Sequence, residues 1–408
     1  MLSYEEARQK VIEVARSHFH PPPPETIDIS SEPASALGRI LAEEIIADRN
    51  YPPFDRSIRD GYAVRASDAI NVPARLKLIG ESKAGSGFEG VIGPSQCVQI
   101  MTGAPVPAGA DAVVMIEYTK AEGEVVSIER AARVGDHIVS TGSEAGMKEV
   151  VLLRGKRLGY AELAMAARVG HVKLRVYPKP RVAILSTGDE VVPAQATPGP
   201  HQIRNSNSIS LAAQIALAGA EPVLLGNSRD DVQELRARIE QGLQADMLVL
   251  SGGVSMGKYD LVEGVLKEIG AEFYFDAVAI RPGRPAVFGT CEDKLVFGLP
   301  GNPVSTMVTF EILAVPAVDV LSGGSVRPLP LFKAKLTHDL REKPGLAHFL
   351  PARVEFRDGN ASVETVYWQG SGDVVALVNA NCFVVVGADR EEISAGEWVD
   401  VLPRRGTI

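Results

Sequence analysis

The strongest constraint on the fold is the regular alternation of strand-like and helix-like segments between residues 180 and 325. Short apolar runs there predict buried strands, and apolar residues at helical spacing predict the helices between them. This order is typical of a parallel sheet covered by helices on both faces, with its functional site at the carboxyl ends of the strands. The predicted strands are Val182–Leu185, Pro222–Leu225, Met247–Leu250, Phe273–Ile280 and Leu295–Phe297, and the predicted helices are Ser208–Ala218, Val232–Gly242, Leu261–Ile269 and Val304–Val320.

Three glycine-bearing loops follow strands of this segment, so we expect them at one edge of the sheet. Free backbone N–H groups at such turns, together with helix N-termini, bind anions. In the last loop Asn302 is predicted as the N-cap of the next helix and Pro303 as its first residue. The alternative is that all three are only tight strand-to-helix connections. The loops are Ser186-Thr-Gly-Asp-Glu190, Ser251-Gly-Gly-Val-Ser-Met-Gly257 (with Gly252, Gly253 and Ser255) and Gly298-Leu-Pro-Gly-Asn-Pro303.

Two arginines follow the fourth predicted strand, in Arg281-Pro-Gly-Arg284. Two guanidinium groups close to a glycine turn suit bidentate binding of an oxyanion or a phosphate. Alone, such a segment would more often be a solvated surface turn. Beside three glycine-bearing loops, anion binding is the favoured interpretation.

Carboxylates recur in similar loops, and carboxylate oxygens are ligands that Mg²⁺ accepts. A structural role competes with this one, because Asp260 and either Asp230 or Asp231 are also well placed to cap the helices that follow them. Capping does not account for Glu190. The loop carboxylates are Asp60, Asp189, Glu190, Asp230 and Asp260.

The rest of the chain predicts three further regions. Helical patterns cover residues 3–19, where Ser3 and Glu6 have capping-box spacing, and residues 34–46 and 159–170. They flank a stretch rich in Gly, Pro and short β-like runs, so we expect a β-rich region inserted into a helical one whose two parts pack together. After residue 330, strand-like runs at Asn381–Val386 and Trp398–Leu402 and a hairpin turn at Asp358-Gly359 predict a small β-barrel or sandwich. We therefore expect an α/β multidomain protein with a split helical domain (1–48 plus 147–178), an inserted β-rich domain (49–146), an α/β domain with a parallel-rich sheet (179–328) and a C-terminal β domain (329–408).

Charge and cysteine content exclude several classes of function. The formal net charge of −9 over 408 residues gives no basic surface for nucleic acid. The 3 cysteines lie far apart and lack metal-ligand spacing, so we expect reduced thiols in a cytoplasmic protein. Neither a signal peptide nor an apolar run of membrane-spanning length is apparent, so no membrane association is expected.

Six segments, in order along almost the whole chain, resemble the molybdopterin molybdenumtransferase family, which comprises the MoeA proteins and the E domain of gephyrin. Such a set is far more specific than any single glycine motif. The matching segments are Pro53-Phe-Asp55 with Asp60-Gly-Tyr-Ala-Val-Arg65, Ile100-Met-Thr-Gly-Ala-Pro105, Ser186-Thr-Gly-Asp-Glu190, Ser251-Gly-Gly-Val-Ser255, Pro282-Gly-Arg-Pro285 and Gly298-Leu-Pro-Gly-Asn-Pro-Val-Ser305.

The resemblance implies an architecture and a reaction. The architecture is a split helical domain, an inserted β-rich domain, a MogA-like α/β domain and a C-terminal β-barrel. The reaction inserts molybdate, as substrate, into the dithiolene of adenylylated molybdopterin, with release of AMP and assistance from Mg²⁺. The family acts as a homodimer whose cleft joins the α/β domain of one subunit to the inserted domain of the other. Transient contact with a MogA-like adenylyltransferase or a molybdoenzyme is also implied.

The resemblance also implies roles for residues at matching positions. Asp60, Thr102, Glu190, Asp230 and Asp260 match positions implicated in catalysis, and Asp60, Glu190 and Asp260 are the expected metal ligands. The substrate and oxyanion are expected to contact Gly252, Gly253, Ser255, Arg281, Arg284, Pro300, Asn302, Pro303, Ser305 and Ser371.

Two departures from the family pattern and two other functions complete the predictions. Arg281 and Arg284 stand where the family usually has Lys, and Val139-Ser-Thr-Gly-Ser-Glu-Ala145 replaces an Arg-bearing loop. The first change alters donor geometry and leaves the choice between molybdate and tungstate open. A gephyrin-like scaffold that binds a partner's peptide is the main alternative, and a nucleotide pyrophosphatase is a weaker one.

Overall fold

The computed structural model describes residues 1–253 and 261–407, and its first segment only partly matches the predicted helices. The capping box predicted at Ser3 and Glu6 is confirmed, with Ser3 Oγ accepting from the Glu6 N–H at 3.2 Å and Glu6 Oε2 accepting from the Ser3 N–H at 2.8 Å. The predicted helix over 34–46 is wrong. Gly38, at φ +75°, follows a single helical turn, and the β-branched Ile45 and Ile46 are extended. The elements are α1 (Tyr4–Ser17), β1 (Glu25–Asp28), α2 (Pro33–Ala36) and β2 (Ile45–Ile46).

The region between Tyr51 and Ala145 forms its own twisted sheet, with the strand order β7-β4-β6-β5-β9-β8. The sheet is antiparallel except for the β5–β6 pair, and a separate apolar cluster covers each of its faces. A short ladder joins β3 to β10. The elements are β3 (Arg56–Ser57), β4 (Gly61–Val64), β5 (Ala74–Ser82), β6 (Gln96–Ile100), β7 (Ala112–Met115), β8 (Thr119–Glu122), β9 (Val125–Ile128) and β10 (Ile138–Val139), with 3₁₀ turns at Ala66–Ala69 and Ile116–Tyr118.

The chain then returns to the N-terminal segment and pairs with it. β11 (Val150–Leu152) pairs with β2, β12 (Lys173–Val176) pairs with β1, and between them α3 (Tyr160–Arg168) is followed by Gly170 at φ +76°. The expectation that all helices before 50 pack with those after 150 is wrong for α1. Its buried stripe of Ala7, Val11, Val14 and Ala15 belongs to the core of the α/β region, because small side chains let another helix approach closely.

A six-stranded sheet forms the centre of residues 181–321, in the order β16-β13-β17-β21-β20-β18. Separate apolar clusters cover its two faces, as predicted. The strands and helices are β13 (Arg181–Thr187), β14 (Val191–Val192), β15 (Ile203–Arg204), α4 (Asn207–Ala218), β16 (Glu221–Ser228), α5 (Val232–Gly242), β17 (Met247–Ser251), α6 (Leu261–Glu268), β18 (Glu272–Phe275), β19 (Ile280–Arg281), β20 (Val287–Cys291), β21 (Lys294–Leu299), α7 (Pro303–Thr309) and α8 (Val315–Leu321).

Four neighbouring strands of this sheet are parallel, as predicted, but the other edge is different. β20 runs antiparallel to β21 because Glu292 and Asp293, at φ +49° and +62°, close a tight hairpin between them. The predicted strand Phe273–Ile280 is wrong. Its first half is β18, at the sheet edge, and its last residue begins β19, which leaves the sheet.

One long helical segment runs through the core from Pro303 to Leu321, with a π-helical turn at Phe310–Ala314 between α7 and α8. Among the described residues it is the helix that is long and apolar enough to cross a membrane, and 89% of its apolar window is buried within the fold. Its fully buried Asp319 accepts from Arg157 Nη2 at 3.0 Å and from Arg327 Nε at 2.8 Å. These ion pairs attach two other parts of the chain to the core helix, and a buried charge requires such partners.

The last region is a closed five-stranded barrel, in the order β24-β25-β22-β28-β26 and back to β24. The hairpin predicted at Asp358-Gly359 is confirmed, with both residues at positive φ. β19 from the α/β region adds to this barrel, since Ile280 and Arg281 pair in parallel with Ala347 and His348. The elements are β22 (Phe332–Leu336), β23 (Leu340–Arg341), β24 (Ala347–Arg357), β25 (Asn360–Thr365), α9 (Val374–Asn379), β26 (Cys382–Val386), β27 (Glu392–Ile393) and β28 (Trp398–Pro403).

Candidate functional site

A cleft of about 300 Å³ lies at the carboxyl ends of the neighbouring strands β13, β17 and β21. We call it the strand-end cleft. Described residues of all three glycine-bearing loops meet in it, and the paired strands β14 and β15, the two residues after β15 and the start of α4 complete the wall. Its lining residues are Ser186, Thr187, Glu190, Val191, Ile203, Arg204, Asn205, Ser206, Asn207, Ser251, Gly252, Gly301, Asn302 and Pro303.

Glycine is required where these loops touch one another. A Cβ on Gly252, which has φ +92°, would lie 2.8 Å from the Thr187 carbonyl oxygen. One on Gly253 would lie 2.7 Å from Thr187 Oγ1, whereas one on Gly301 would lie 3.5 Å from the Gly252 Cα, an ordinary contact distance that shows how near these two loops are without requiring glycine at 301. The loops are therefore packed backbone to backbone, which leaves main-chain groups at the cleft surface where side chains would otherwise stand.

Amide and hydroxyl groups give the strand-end cleft most of its polarity. Asn207 Nδ2 donates to Ser251 Oγ at 2.8 Å and to the Gly301 carbonyl at 2.7 Å, so this side chain joins two of the loops. Within the described residues, Asn207 Oδ1 and Thr187 Oγ1 are buried without a hydrogen-bond partner. Buried polar atoms are rarely left unpaired, so these two are open to a hydrogen bond from water or from a bound ligand.

Asn207 and Arg204 were missed by the sequence reasoning. They lie in Ile203-Arg-Asn-Ser-Asn207, a polar run directly before a predicted helix, where Asn and Ser are ordinarily interpreted as helix caps. The sequence feature that could have identified Asn207 is the presence of two asparagines where one would be enough to cap the helix.

A second cavity, of about 410 Å³, adjoins the first and contains both arginines of the Arg281-Pro-Gly-Arg284 segment. We call it the arginine cavity. These arginines do not follow a strand of the central sheet, which corrects the expectation above, because β19 carries them toward the barrel. Arg281 Nη1 lies 3.8 Å from Glu342 Oε2. The lining residues are Ile280, Arg281, Pro282, Gly283, Arg284, Pro285, Pro300, Asn302, Ser305, Leu346, Trp368, Gly370 and Ser371.

Asn302 belongs to the walls of both cavities. It occupies the predicted N-cap position of α7, and Pro303 is the first helical residue, but the Asn302 side chain makes no capping hydrogen bond. Instead, Nδ2 donates to Ser371 Oγ at 2.9 Å, and the Val304 N–H donates to the Ser371 carbonyl at 2.9 Å. The barrel residue Ser371 is therefore held directly at the N-terminus of the core helix.

Three carboxylates cluster at the rim of the strand-end cleft. The Asp230 N–H donates to Asp189 Oδ1 at 3.2 Å, and the Glu190 carboxylate lies over Gly188. Local desolvation, and then the negative charges of Asp189 and Glu190, raise the pKa of Asp230 above its ordinary value. Asp231, rather than Asp230, caps α5 by accepting from the Gln233 and Glu234 N–H groups at 3.0 and 2.8 Å. Helix capping therefore does not explain Asp230.

Asp60 and Thr102 form a pair in the inserted region, away from both cavities of the same chain. Asp60 Oδ1 accepts from the Thr102 N–H at 2.7 Å and from Thr102 Oγ1 at 2.9 Å. These two hydrogen bonds lower the pKa of Asp60, so it is a carboxylate near neutral pH. No described residue between 49 and 146 lines either cavity.

The described carboxylates could hold Mg²⁺ only together with water and substrate oxygens as further ligands. Among residues 1–253 and 261–407, no group of three His, Cys, Asp or Glu side chains converges to hold a metal ion. Mg²⁺ commonly takes one or two protein carboxylates and completes its shell with water and substrate phosphate, which the unneutralised cluster of Asp189, Glu190 and Asp230 allows. Two predicted site residues, Ser255 and Asp260, lie outside the described residues, so Asp260 stays a predicted ligand.

The cysteines take no part in this site. Cys97, Cys291 and Cys382 are free thiols and all are buried, as expected from their spacing. Burial raises the pKa of Cys97 and Cys382 to about 12, so these thiols stay protonated and are not nucleophiles.

Comparison with known proteins gives the same order of regions. Residues 2–170 match the model of the MoeA N-terminal region (domain I and II), residues 183–320 that of the probable molybdopterin binding domain, and residues 333–403 that of the MoeA C-terminal region (domain IV).

Relatives and solved structures match over nearly the whole chain. The chain is 36% identical to the molybdopterin molybdenumtransferase of Bacillus subtilis, over 90% of this chain and 87% of the relative. It is 35% identical to that of Haemophilus influenzae, over 99% and 98%. A crystal structure of a molybdopterin biosynthesis MoeA protein from Pyrococcus horikoshii covers 99% of both chains with TM-score 0.74 and 33% identity. A second structure of such a protein from that organism has TM-score 0.80 and 28% identity, and covers 99% of this chain and 100% of that one.

Three successive family models, two near-full-length relatives above 30% identity and the matching multidomain fold agree with one another. The chain therefore belongs to the molybdopterin molybdenumtransferase family, the transferases of molybdenum cofactor biosynthesis.

Proposed function

We propose that the chain inserts molybdate into the dithiolene of adenylylated molybdopterin and releases AMP, in a step assisted by Mg²⁺. The observation that carries the proposal is the pair of adjoining cavities, one lined by amides and hydroxyls and the other containing Arg281 and Arg284. An adenylylated pterin and an inorganic oxyanion need these two kinds of surface, side by side.

The strand-end cleft is suited to the adenylylated pterin. Its exposed main chain at Gly301 provides a contact for phosphate oxygens. The unpaired Asn207 Oδ1 and Thr187 Oγ1 offer positions for polar groups of the pterin or nucleotide. These contacts orient the substrate so that its dithiolene end lies toward the arginine cavity.

The arginine cavity is suited to molybdate, a tetrahedral dianion. The guanidinium groups of Arg281 and Arg284 supply charge-assisted hydrogen bonds, and Ser305 and Ser371 line the same space. Tungstate has the same charge and shape, and a cavity of about 410 Å³ does not select between the two by size. A tungstate-preferring insertase is therefore the closest alternative, and it is tested with the same assay.

Glu190 and Asp230 are the described residues that would hold Mg²⁺ beside the substrate phosphates, with the predicted Asp260. When bound there, the ion offsets negative charge that develops as AMP leaves. The protein's own contribution is to hold these carboxylates next to the cleft while Asp60, ionised by its contacts to Thr102, is brought from the inserted region.

A homodimer completes this site in the proposed mechanism. Asp60 and Thr102 line neither described cavity of their own chain, and in this proposal a second copy presents them to the cleft. The buried, free thiols agree with a cytoplasmic protein, where cysteines stay reduced. A MogA-like adenylyltransferase is the class of partner that would supply the substrate.

AMP release is the decisive assay. The purified protein is mixed with adenylylated molybdopterin, molybdate or tungstate, and Mg²⁺, and AMP is measured by chromatography. We expect release that requires both the oxyanion and Mg²⁺, is lost in Glu190→Gln and is retained in the surface control Glu268→Gln. Absence of AMP release from the wild-type protein under all these conditions would refute the proposal and favour the scaffold alternative.

Mixed dimers test the shared site. Asp60→Asn and Glu190→Gln are each expected to be inactive, but a mixture that exchanges subunits should recover about a quarter of wild-type activity, since half of the dimers carry one intact site. If the mixture stays inactive after exchange is shown by co-purification with an affinity tag on one variant, both residues act in the same subunit.

A further inference from the structure

One side-chain amide closes the loop of residues 188–191, which carries Glu190 and which we call the acidic loop. Asn227 Nδ2 donates to the Gly188 carbonyl and to the Val191 carbonyl, at 3.1 Å each. These two carbonyls lie on either side of Glu190 in the chain. Because a carbonyl oxygen only accepts hydrogen bonds, both contacts require the NH₂ end of the amide, which fixes its orientation. Asn227 therefore holds both ends of the acidic loop.

A β-bulge determines where the Asn227 side chain lies. The register of the edge strand β16 against β13 shifts at Leu225, which is an extra residue in β16, and Gly226 follows with φ +85°. Glycine adopts this conformation at little cost. One extra residue moves the side chains that follow it to the other face of a strand, and bulges beside functional sites commonly redirect a side chain in this way. The bulge brings Asn227 opposite Ser186 of β13, directly before the acidic loop.

The end of β16 also carries the second acidic segment of the rim. Asp230 follows Asn227 by three residues, and the Ser228 carbonyl between them accepts from the Gly188 N–H at 3.3 Å. Asn227 therefore links the backbone of the acidic loop to the strand end that leads to Asp230. Glu190 and Asp230 are the two described carboxylates that the proposed function assigns to Mg²⁺, so one side chain joins the two segments that present them.

The two segments are held together against electrostatic repulsion. The charges that act on Asp230 are those of Asp189 and Glu190, and both are negative. Like charges at this range repel one another, so in the absence of a cation the acidic loop is driven away from the end of β16. An uncharged amide resists that movement without neutralising the carboxylates. A lysine or arginine in its place would also join the segments, but its charge would compete with Mg²⁺.

We infer that Asn227 is a positioning residue that holds the acidic loop against the strand end carrying Asp230, so that the carboxylates of the Mg²⁺ site are in place before the ion binds. The inference rests on the proposed function and adds to it a residue that acts through the loop, not by contact with the ion. Order that is present before binding lowers the free-energy cost of binding.

Amide hydrogen exchange tests the inference in the protein without Mg²⁺. The Gly188 N–H donates to the Ser228 carbonyl, and the Val191 N–H donates to the Gly188 carbonyl at 3.2 Å, so both are protected only while the loop is closed. Asn227→Leu keeps the size of the side chain and removes both donors. By mass spectrometry of the peptide that covers residues 186–192, we expect exchange about tenfold faster than in wild type. Mg²⁺ with AMP should slow it again.

The Mg²⁺ dependence of AMP release is the second measurement. In Asn227→Leu the half-saturating Mg²⁺ concentration should rise about tenfold, the scale of the lost hydrogen bonds. The rate at saturating Mg²⁺ and the half-saturating molybdate concentration should stay near those of wild type. Asn227→Gln keeps both N–H donors and should fall between wild type and Asn227→Leu. If Asn227→Leu does not fold, Asn227→Gln is used for both measurements.

Asn381→Leu is the matched control. Asn381 Nδ2 donates to the Val354 carbonyl at 3.0 Å in the barrel, so this variant removes the same kind of contact away from the strand-end cleft. It should lower the melting temperature and leave both the exchange of residues 186–192 and the Mg²⁺ dependence as in wild type.

Three outcomes would overturn the inference, and they are distinguishable. If either the loop exchange or the Mg²⁺ dependence of Asn227→Leu matches that of an active wild type, the inference fails and the proposed function stands. If Asn227→Leu loses the same fraction of its rate at every Mg²⁺ concentration, Asn227 only stabilises the fold. If wild type releases no AMP, the proposed function fails and the inference with it.

Discussion

The strand-end cleft and the arginine cavity share Asn302 as a wall, and their linings differ in kind. The cleft is built by backbone-to-backbone contact between loops of a single sheet, so its shape depends on glycines. The arginine cavity is built at a junction, where a strand of the α/β region adds to the barrel and Ser371 reaches the core helix. Shape is the main property of the first site and positive charge that of the second.

This difference predicts how each site fails. A site made by close backbone approach should be disabled by one added methyl group. A site made by exposed charged side chains should instead lose part of its affinity with each charged side chain that is removed. The following predictions are ordered from the largest expected effect to the smallest.

Gly252→Ala should abolish most activity. The added Cβ would lie 2.8 Å from the Thr187 carbonyl at a backbone φ of +92°, so the loop must shift. A displacement of this order costs about a hundredfold in rate when it moves a substrate-positioning group. AMP release should fall accordingly, while the half-saturating concentration of molybdate stays near that of wild type.

Gly264→Ala is the matched control for that experiment. Gly264 lies within α6, and a Cβ there meets nothing within 4 Å. It should keep full activity and gain stability, because alanine is the better helix former. If both alanine variants lose activity alike, backbone crowding is not what distinguishes the strand-end cleft.

Arg284→Ala should raise the half-saturating concentration of molybdate by about tenfold or more, through loss of a charge-assisted contact. Affinity for AMP, which is expected in the other cavity, should be unchanged. Titration of both ligands by calorimetry measures the two effects separately. Equal losses for molybdate and AMP would mean that the two cavities act as one site.

Thr102→Ala should shift the acidic limb of the pH–activity profile to higher pH. The variant removes the Oγ1 donor and keeps the N–H donor, so the lowered pKa of Asp60 rises toward its ordinary value. A carboxylate with a lowered native pKa stabilises the fold above its unfolded-state pKa and loses that effect as the pH falls through the native value. Activity near neutral pH should change least, because Asp60 is ionised there in both proteins. If the acidic limb does not move, Asp60 is not the group whose protonation sets it.

Asp231→Ala should cost about 1 kcal/mol of unfolding free energy through loss of the α5 N-cap, with activity retained below the melting range. Asp230→Asn should do the reverse and keep stability while AMP release falls. Thermal melting and the AMP assay on both variants separate these neighbouring carboxylates. A large loss of activity in Asp231→Ala would show that the two had been assigned the wrong way round.

Local sequence patterns predicted those elements that depend only on neighbouring residues. The capping box at Ser3, the hairpin at Asp358-Gly359 and the helix Val232–Gly242 each follow from neighbouring residues, and all three are present. The glycine-bearing loops were likewise predictable, because each one follows a recognisable strand.

Long-range pairing could not be predicted in the same way. Nothing in Ile280 or Arg281 indicates that they pair with Ala347 and His348 of the barrel, so the arginines were expected at the wrong edge. The residues 34–46 resemble a helix by spacing, but Gly38 and pairing of β2 with β11 override that pattern. The role of Asn207 was hidden for the same reason, since its partners Ser251 and Gly301 are distant in sequence.

The pairing of β19 with β24 has an evolutionary consequence. The arginine cavity takes its cations from one region, and Leu346, Trp368, Gly370 and Ser371 from the barrel. If the barrel were replaced by that of a distant relative, the cavity would therefore combine the native arginines with barrel residues of another sequence. We expect substitutions at positions 281 and 284 to be inherited together with changes in the barrel wall, so that selection acts on the two segments as one unit.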